Sequence, residues 1–389
     1  MERKELAELI NKIASHPRLS GSKNEQNAFK LIKNYIKNHI GGKTFLQKYQ
    51  ILTWRQKQDP CLEIDGKQIA CKAVYYSPSV KLKGKLQYFQ EDNIEVDNPL
   101  DIYCLKKGKY PTAFISLAKN FENPFVYNKG IMQYVIPDII VGAKDKEFLT
   151  NSIGKAVSLN MKTKFVLKKT FNLVHKLSDR KGKFKLVIGA HMDTIPDFKG
   201  FIDNASGVAV ALAISEKLKK EKLPFDVWII YFGAEENSMF GSKYFVDMLS
   251  DKEREKVKFM ISLDGVGLEE KTDIFVEEDY YSQIQKSFQK IEEKIYINSI
   301  KEAAELSDHH YFKIMGIDSC FIAGKIGKFY PHEKEFDSLE NINLPVCADV
   351  AEAVSDFVKN IQFKSPDVEF DSNKRKNLLN FIRKYWMNF

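Results

Sequence analysis

No stretch of the 389-residue chain strings together about eighteen apolar residues, the run a helix needs to cross a bilayer. The opening MERKELAELI also lacks the long apolar core of a secretion signal. The expectation is a cytoplasmic protein with no membrane partner. Cysteine is scarce: Cys61, Cys71, Cys104, Cys320 and Cys347 are the five, and none stands in CxxC spacing. That argues against a disulfide framework and a thiolate zinc site, and for buried free thiols. The charge excess is slight, 60 Lys and Arg against 52 Asp and Glu for a net +8, and the lysines are scattered. Scattered lysines are a solvated surface, so no nucleic-acid partner is expected. The chain does have length, with 44% hydrophobic residues, enough for two cores and hence two domains.

Chemistry concentrates in KLVIGAHMDTIPDFKGFIDNASG at 185–207, FGAEENSMFGS at 232–242 and SLDGVG at 262–267. Leu186–Ile188 with Gly189 and Ala190 reads as a buried strand that delivers His191 and Asp193 at its carboxyl end. Asp203 follows in a Gly/Asp/Asn turn before a helical pattern over Ser206–Lys220. A second apolar run, Phe225–Phe232, delivers Glu235 and Glu236, and a third, Val257–Leu263, delivers Asp264. In an open sheet alternating with helices, ligands collect beyond the carboxyl ends of the strands. One imidazole among four carboxylates asks for a compensating cation, and nitrogen plus hard oxygen donors suit a divalent metal such as zinc.

The runs HMD, DNASG, AEENSMFGS, LDGVG, SDHHYF and PHEKEFDSLENI, in this order from Lys185 to about Asn343, resemble the M28 family of di-zinc aminopeptidases. The resemblance implies an α/β fold with a mixed, mainly parallel central sheet flanked by helices, as in zinc exopeptidases. It implies two Zn²⁺ per chain, one held by His191, Asp203 and Asp264 and the other by Asp203, Glu236 and His332. Glu235 would be the general base, and a water shared by the metals would attack the first peptide bond of a peptide with a free N-terminus. The residue reading agrees, because neighbours leaving a strand point opposite ways, so Glu236 can ligate while Glu235 faces the water. Co²⁺ or Mn²⁺ also suit such nitrogen and oxygen donors. Asp193, two residues past His191, is expected to fix the imidazole through its other N–H. The chain departs from the family where Glu333 follows His332, where Asp337 comes five positions after it, and where Ser238 stands in place of a usual Gly. Two alternatives are a single-zinc enzyme like glutaminyl cyclase and a non-catalytic M28-like binding module.

Around this stretch the chain divides into a discontinuous peptidase domain, 1–53 plus 171–389, and an insert over 54–170. The insert is a small β-rich domain, with Asp65-Gly66 as a hairpin turn and Val157, Leu159, Met161 and Phe165 alternating with polar residues. It resembles the protease-associated insert of M28 enzymes and is expected to wall the cleft. Leu6, Leu9, Ile10 and Ile13, and then Ala28, Leu31, Ile32, Tyr35 and Ile36, predict two helices on the main sheet. Ser22 and Glu25 form a capping-box pattern before the second, next to an R/S/G segment similar to the family's. Phe171–Val174 predicts the strand that re-enters the main sheet. Tyr281, Ile284, Phe288 and Ile291 predict one helix with a core face. His16, His39 and His175 read as structural, and His309 as a residue behind or within the substrate pocket. Leu378, Leu379, Ile382, Tyr385, Trp386 and Phe389 predict a basic C-terminal helix that packs on its own domain or makes a homo-oligomer contact.

Overall fold

The computed structural model describes residues 1–89, 100–107, 110–118, 122–124, 136–180, 183–303, 307–324 and 337–363. His332, Glu333 and the C-terminal helix predicted over Lys374–Phe389 lie outside the described residues.

The main sheet is built from β1 (Lys43–Ile64), β2 (Ala156–Lys176), β3 (Lys185–His191), β4 (Asp226–Phe232), β5 (Val257–Asp264), β6 (Thr272–Val276), β7 (Ile295–Ser299) and β8 (Asp318–Gly324). Its order is β7-β6-β8-β5-β3-β4-β2, with β1 antiparallel to β2. The pairs β7-β6, β8-β5, β5-β3 and β3-β4 are parallel, whereas β6-β8 and β4-β2 are antiparallel. The fold is therefore α/β with a mixed, mainly parallel central sheet.

β3 (KLVIGAH) and β4 (DVWIIYF) are buried at every residue. That is why they read as unbroken apolar runs: strands covered on both faces have no solvent side to mark with polar residues. On one face lie the helices Arg3–Ile13, Gly207–Leu218 and Leu344–Asn360, with Leu6, Leu9, Ile10 and Ile13 buried against Val208, Leu212 and Val350 in one core. Ser22 caps the second helix, Lys23–Tyr35, its Oγ accepting from the Glu25 amide at 3.1 Å. Glu25 reaches back one residue further than a standard capping box would, to the Gly21 amide at 2.7 Å.

Two long strands carry the sheet on into residues 54–170. β1 and β2 pair from Lys43 opposite Lys176 to Ile64 opposite Val157, so both run unbroken through positions 53–54 and 170–171. Asp65 and Gly66 turn β1 back on itself with φ of 52° and 81°, the left-handed pair of a two-residue hairpin. A second core of Trp54, Leu62, Tyr75, Leu86, Ile115 and Leu159 takes in Ile195 and Phe198 from the loop after β3. The site loop and residues 54–161 thus share one apolar cluster.

The helix predicted through Ile291 is broken: it spans Tyr281–Ser287 and yields to a tighter turn over Gln289–Lys294, although Ile284, Phe288 and Ile291 remain buried. His175 is structural, its Nε2–H donating to the Gly41 carbonyl at 2.8 Å, and burial lowers the imidazole to about 4. No helix among the described residues is long and apolar enough to cross a membrane.

Glu277 follows β6 and accepts from the Ser319 amide at 2.9 Å. Burial pushes its carboxyl up to about 7, with the Ser319 amide pulling back. A carboxyl raised above its ordinary 4.5 stabilises the fold fully only below that value, and the contribution is lost as pH rises through 7. Glu277→Gln keeps an acceptor for Ser319 and removes the ionisation. The variant is expected to match the parent in urea melts at about pH 5 and to exceed it by roughly 1–3 kcal/mol at about pH 8.5. An equal difference at both pH values would show that ionisation is not the cause.

Candidate metal centre

The parallel registers set Phe232 opposite His191 and Ser262 opposite Gly189. β3, β4 and β5 consequently end at one edge of the sheet and release their polar residues into one place. A side chain at Gly189 would strike Phe232 and Met260 at 2.5 and 2.7 Å, so glycine is what lets the three strands close up just before His191.

His191 is buried, and its Nδ1–H donates to the backbone carbonyl of Asp193 at 3.2 Å. Its Nε2 faces Asp203 Oδ1 at 2.9 Å and Asp264 Oδ1 at 3.3 Å. The three donor atoms lie within 4.8 Å of one another. With Nδ1 carrying its proton, Nε2 can face two carboxylates only with a second proton or a cation between them. Burial alone would lower this imidazole, yet Asp264, Glu235 and Asp203 raise it well above its ordinary value. The pocket therefore demands positive charge, and a nitrogen with two carboxylate oxygens suits zinc.

Asp203 stands in the turn that opens the helix Gly207–Leu218. The next residue, Asn204, takes the Gly207 and Gly265 amides on Oδ1 at 3.1 and 3.2 Å and donates Nδ2–H to the Leu263 carbonyl at 2.9 Å. This one side chain fastens the Asp203 turn to the end of β5, beside Asp264. A Cβ on Gly207 would stand 2.3 Å from that Asn204 oxygen, which accounts for the last glycine of DNASG.

Beyond β4, the loop from Gly233 carries Glu235 and Glu236. Asp193 aims it: Oδ1 accepts from the Glu235 amide at 2.9 Å, and Oδ2 from the Glu236 amide at 3.2 Å and the Ser20 hydroxyl at 2.7 Å. The carboxylate of Asp193 stays 3.8 Å from His191 Nδ1, so the imidazole is oriented by the main chain of Asp193 while its side chain shapes the acidic loop. From the β2 side, Asn172 accepts from the Gly233 amide at 3.2 Å and donates to the Gly241 carbonyl at 2.9 Å, and Tyr49 donates to the Gly233 carbonyl at 2.7 Å. Ser238 has φ of 61°, the left-handed region that suits the glycine usual there and costs another residue about 1–2 kcal/mol.

Burial pushes the Glu235 carboxyl well up, and Glu236, Asp264 and Asp308 push the same way against the pull of His191. Asp264 is raised by burial too, while its Oδ2 accepts from Ser307 at 2.8 Å. Within SDHHYF it is Asp308 that meets this field: burial raises it to about 7, with His191 drawing it down. His309 is a core residue, stacked on Phe321 with ring centroids 4.9 Å apart and its Nε2–H donating to the Ala303 carbonyl at 3.0 Å. Ser307 and Asp308 open the SDHHYF run, whereas Asn172 and Tyr49 carry no motif signal in the sequence. Ser20 had one in the R/S/G segment, 173 residues away from the Asp193 it serves.

Residues 172–358 match the model of peptidase family M28. Aminopeptidase YwaD of Bacillus subtilis (strain 168) is 31% identical over 221 residues, which covers 54% of this chain and 48% of that protein. Leucine aminopeptidase 2 of Arthroderma otae is 24% identical over 209 residues, 52% of this chain and 40% of that protein. The chain thus spans less than half the length of these curated relatives. Among solved structures, the zinc aminopeptidase BSAP from Bacillus subtilis superposes with a TM-score of 0.74 at 21% identity, covering 92% of this chain and 94% of that one. The aminopeptidase from Aneurinibacillus sp. strain AM-1 gives 0.73 at 18%, covering 94% and 97%. At these identities the structural likeness establishes the fold, and the match to peptidase family M28 extends over residues 172–358 of this chain.

Proposed function

We propose that the protein is a zinc-dependent aminopeptidase that hydrolyses the N-terminal peptide bond of peptides with a free α-amine. The observation that carries this reading is His191 Nε2 held between Asp203 and Asp264 at 2.9 and 3.3 Å, a donor set that needs a cation. These three residues would hold one zinc, and Asp203, Glu236 and His332 a second. Bound there, zinc lowers the pKa of water and polarises a carbonyl. Glu235 takes the proton from the attacking water and returns it to the leaving amine, and the raised pKa that burial gives its carboxyl suits both transfers. Asp193 holds that carboxylate in line through the Glu235 amide. The insert over 54–170 walls the cleft through Ile195 and Phe198, which leave the loop after β3 to join its apolar cluster.

The test is elemental analysis of the purified protein beside a panel of aminoacyl anilides and their N-acetylated counterparts. About two zinc ions per chain and release only from the free amines are expected. About one zinc, with ring closure of N-terminal glutamine, would transfer the site to cyclase chemistry. A chain that takes up no zinc would sink both.

A further inference from the structure

The turn Lys199–Phe201 carries no metal donor, yet two buried charged side chains spend their hydrogen bonds on it. Arg18, only 1% exposed, lies beneath it. Its Nε–H donates to the Met192 carbonyl at 2.8 Å, Nη1–H to the carbonyls of Ile13 and Lys199, and Nη2–H to the Gly200 carbonyl at 3.1 Å. The Arg18 amide in turn donates to Thr194 Oγ1 at 2.9 Å. From the other side, Asp337 accepts the Gly200 amide on Oδ2 at 2.8 Å and the Phe201 amide on Oδ1 at 2.6 Å. The turn is thus gripped by its carbonyls and by its amides. Gly200, at φ of 62°, has no Cβ because one would stand 3.0 Å from Arg18 Nη2 and 2.2 Å from the Asp203 carbonyl oxygen.

The consequence lies two residues on, at Asp203. Met192 is flanked by His191 and Asp193, so one guanidinium joins the loop that presents the imidazole to the turn that presents the carboxylate. Its rigid fork is what makes the spacing definite. We propose that Arg18 and Asp337 are positioning residues that fix Asp203 beside His191 in the metal-free protein, so that the zinc seat is formed before the ion arrives. The inference rests on the proposal that His191, Asp203 and Asp264 hold zinc. It goes further in assigning the affinity of that seat to two residues that touch no metal, since a supporting shell governs how well its ligands converge.

The experiment uses the full chain, stripped with a chelator and then titrated with zinc against a chromophoric competitor. Arg18→Lys keeps the charge but cannot span the same carbonyls, and Asp337→Asn sets an amide N–H against one of two backbone N–H groups. Each is expected to weaken zinc about 10- to 100-fold, with excess zinc restoring kcat. Val354→Ala, a core truncation in the helix Leu344–Asn360, is the comparison: it lowers the urea midpoint of the stripped protein and leaves zinc affinity at the parent value. Parent-like zinc affinity in Arg18→Lys and Asp337→Asn, with stability lost as in Val354→Ala, would make them scaffold only and overturn the proposal. Should either variant fail to fold, Thr194→Val removes the bond that the Arg18 amide makes to Thr194 Oγ1. A loss of about 3- to 10-fold in zinc affinity is then expected, and no loss overturns the proposal. A parent chain that binds no zinc is a different failure, that of the aminopeptidase reading itself.

Discussion

Glu235→Gln is expected to keep the zinc content and melting temperature of the parent and to lose about 10²- to 10⁴-fold in kcat, the range for removing a general base. The reason is a division of labour on one loop. Asp193 accepts both the Glu235 and the Glu236 amides at 2.9 and 3.2 Å, and Gln leaves that backbone contact and the side-chain shape unchanged. Glu235 is outside both proposed ligand sets, so zinc has no cause to leave. What disappears is the Glu235 carboxylate, the proposed acceptor of the proton. The measurement is kcat and KM on an aminoacyl anilide with zinc determined on the same sample. Asp308 is the competing acid, raised to about 7 by burial, with the charge of His191 drawing it down and that of Asp264 pushing it up. Should Glu235→Gln turn over like the parent while Asp308→Asn does not, the base is Asp308.

The sequence made the centre of this fold legible for a definite reason: β3 and β4 are buried at every residue and β5 at nearly every one, so they appear as mostly apolar runs that release their charged site residues at the carboxyl ends. Asp65-Gly66 was readable because few residues tolerate φ of 52° and 81° in succession. The unbroken run of β2 through Thr170 was not, because Lys162, Lys164, Lys168 and Lys169 line its middle and apolar alternation fails there. The interruption after Ser287 was hidden as well, since Phe288 and Ile291 keep helical spacing although the chain tightens. In the site, the residues that offer oxygen or nitrogen to an ion stand in recognisable runs, whereas those that aim them do so from a distance. Ser20 serves Asp193, Asn172 serves Gly233, and Asp337 serves Gly200 across 137 positions. Such partners are set by tertiary contact and leave no local periodicity. Asp193 has a further contact of this kind: beside the carbonyl that it turns to His191, it gives its carboxylate to the loop of Glu235.

Asp203→Asn is expected to remove zinc from both seats, taking the content after dialysis from about two to well below one per chain, whereas Asp264→Asn should empty one. Asn keeps the shape of the turn and the Asn204 bonds that pin it to Leu263 and Gly265, so the fold should survive. The negative charge that the two proposed cations would share is lost. A second readout follows in the stripped protein, where no ion can confuse it. Burial lowers the His191 imidazole, while Asp264, Glu235 and Asp203 more than reverse this. Deleting one of the three raising charges must move the imidazole downward. An imidazole raised above its ordinary 6.5 stabilises the fold fully below that pH, and the contribution is lost as pH rises through the higher folded value. Asp203→Asn therefore narrows the pH range over which the stripped protein is stabilised, pulling its upper limit towards neutrality. Titrating the His191 ring protons by NMR, with urea melts across the same pH range, checks both. An imidazole that titrates unchanged in the variant would mean that Asp203 does not face it in solution, and that zinc loss in Asp203→Asn has another cause.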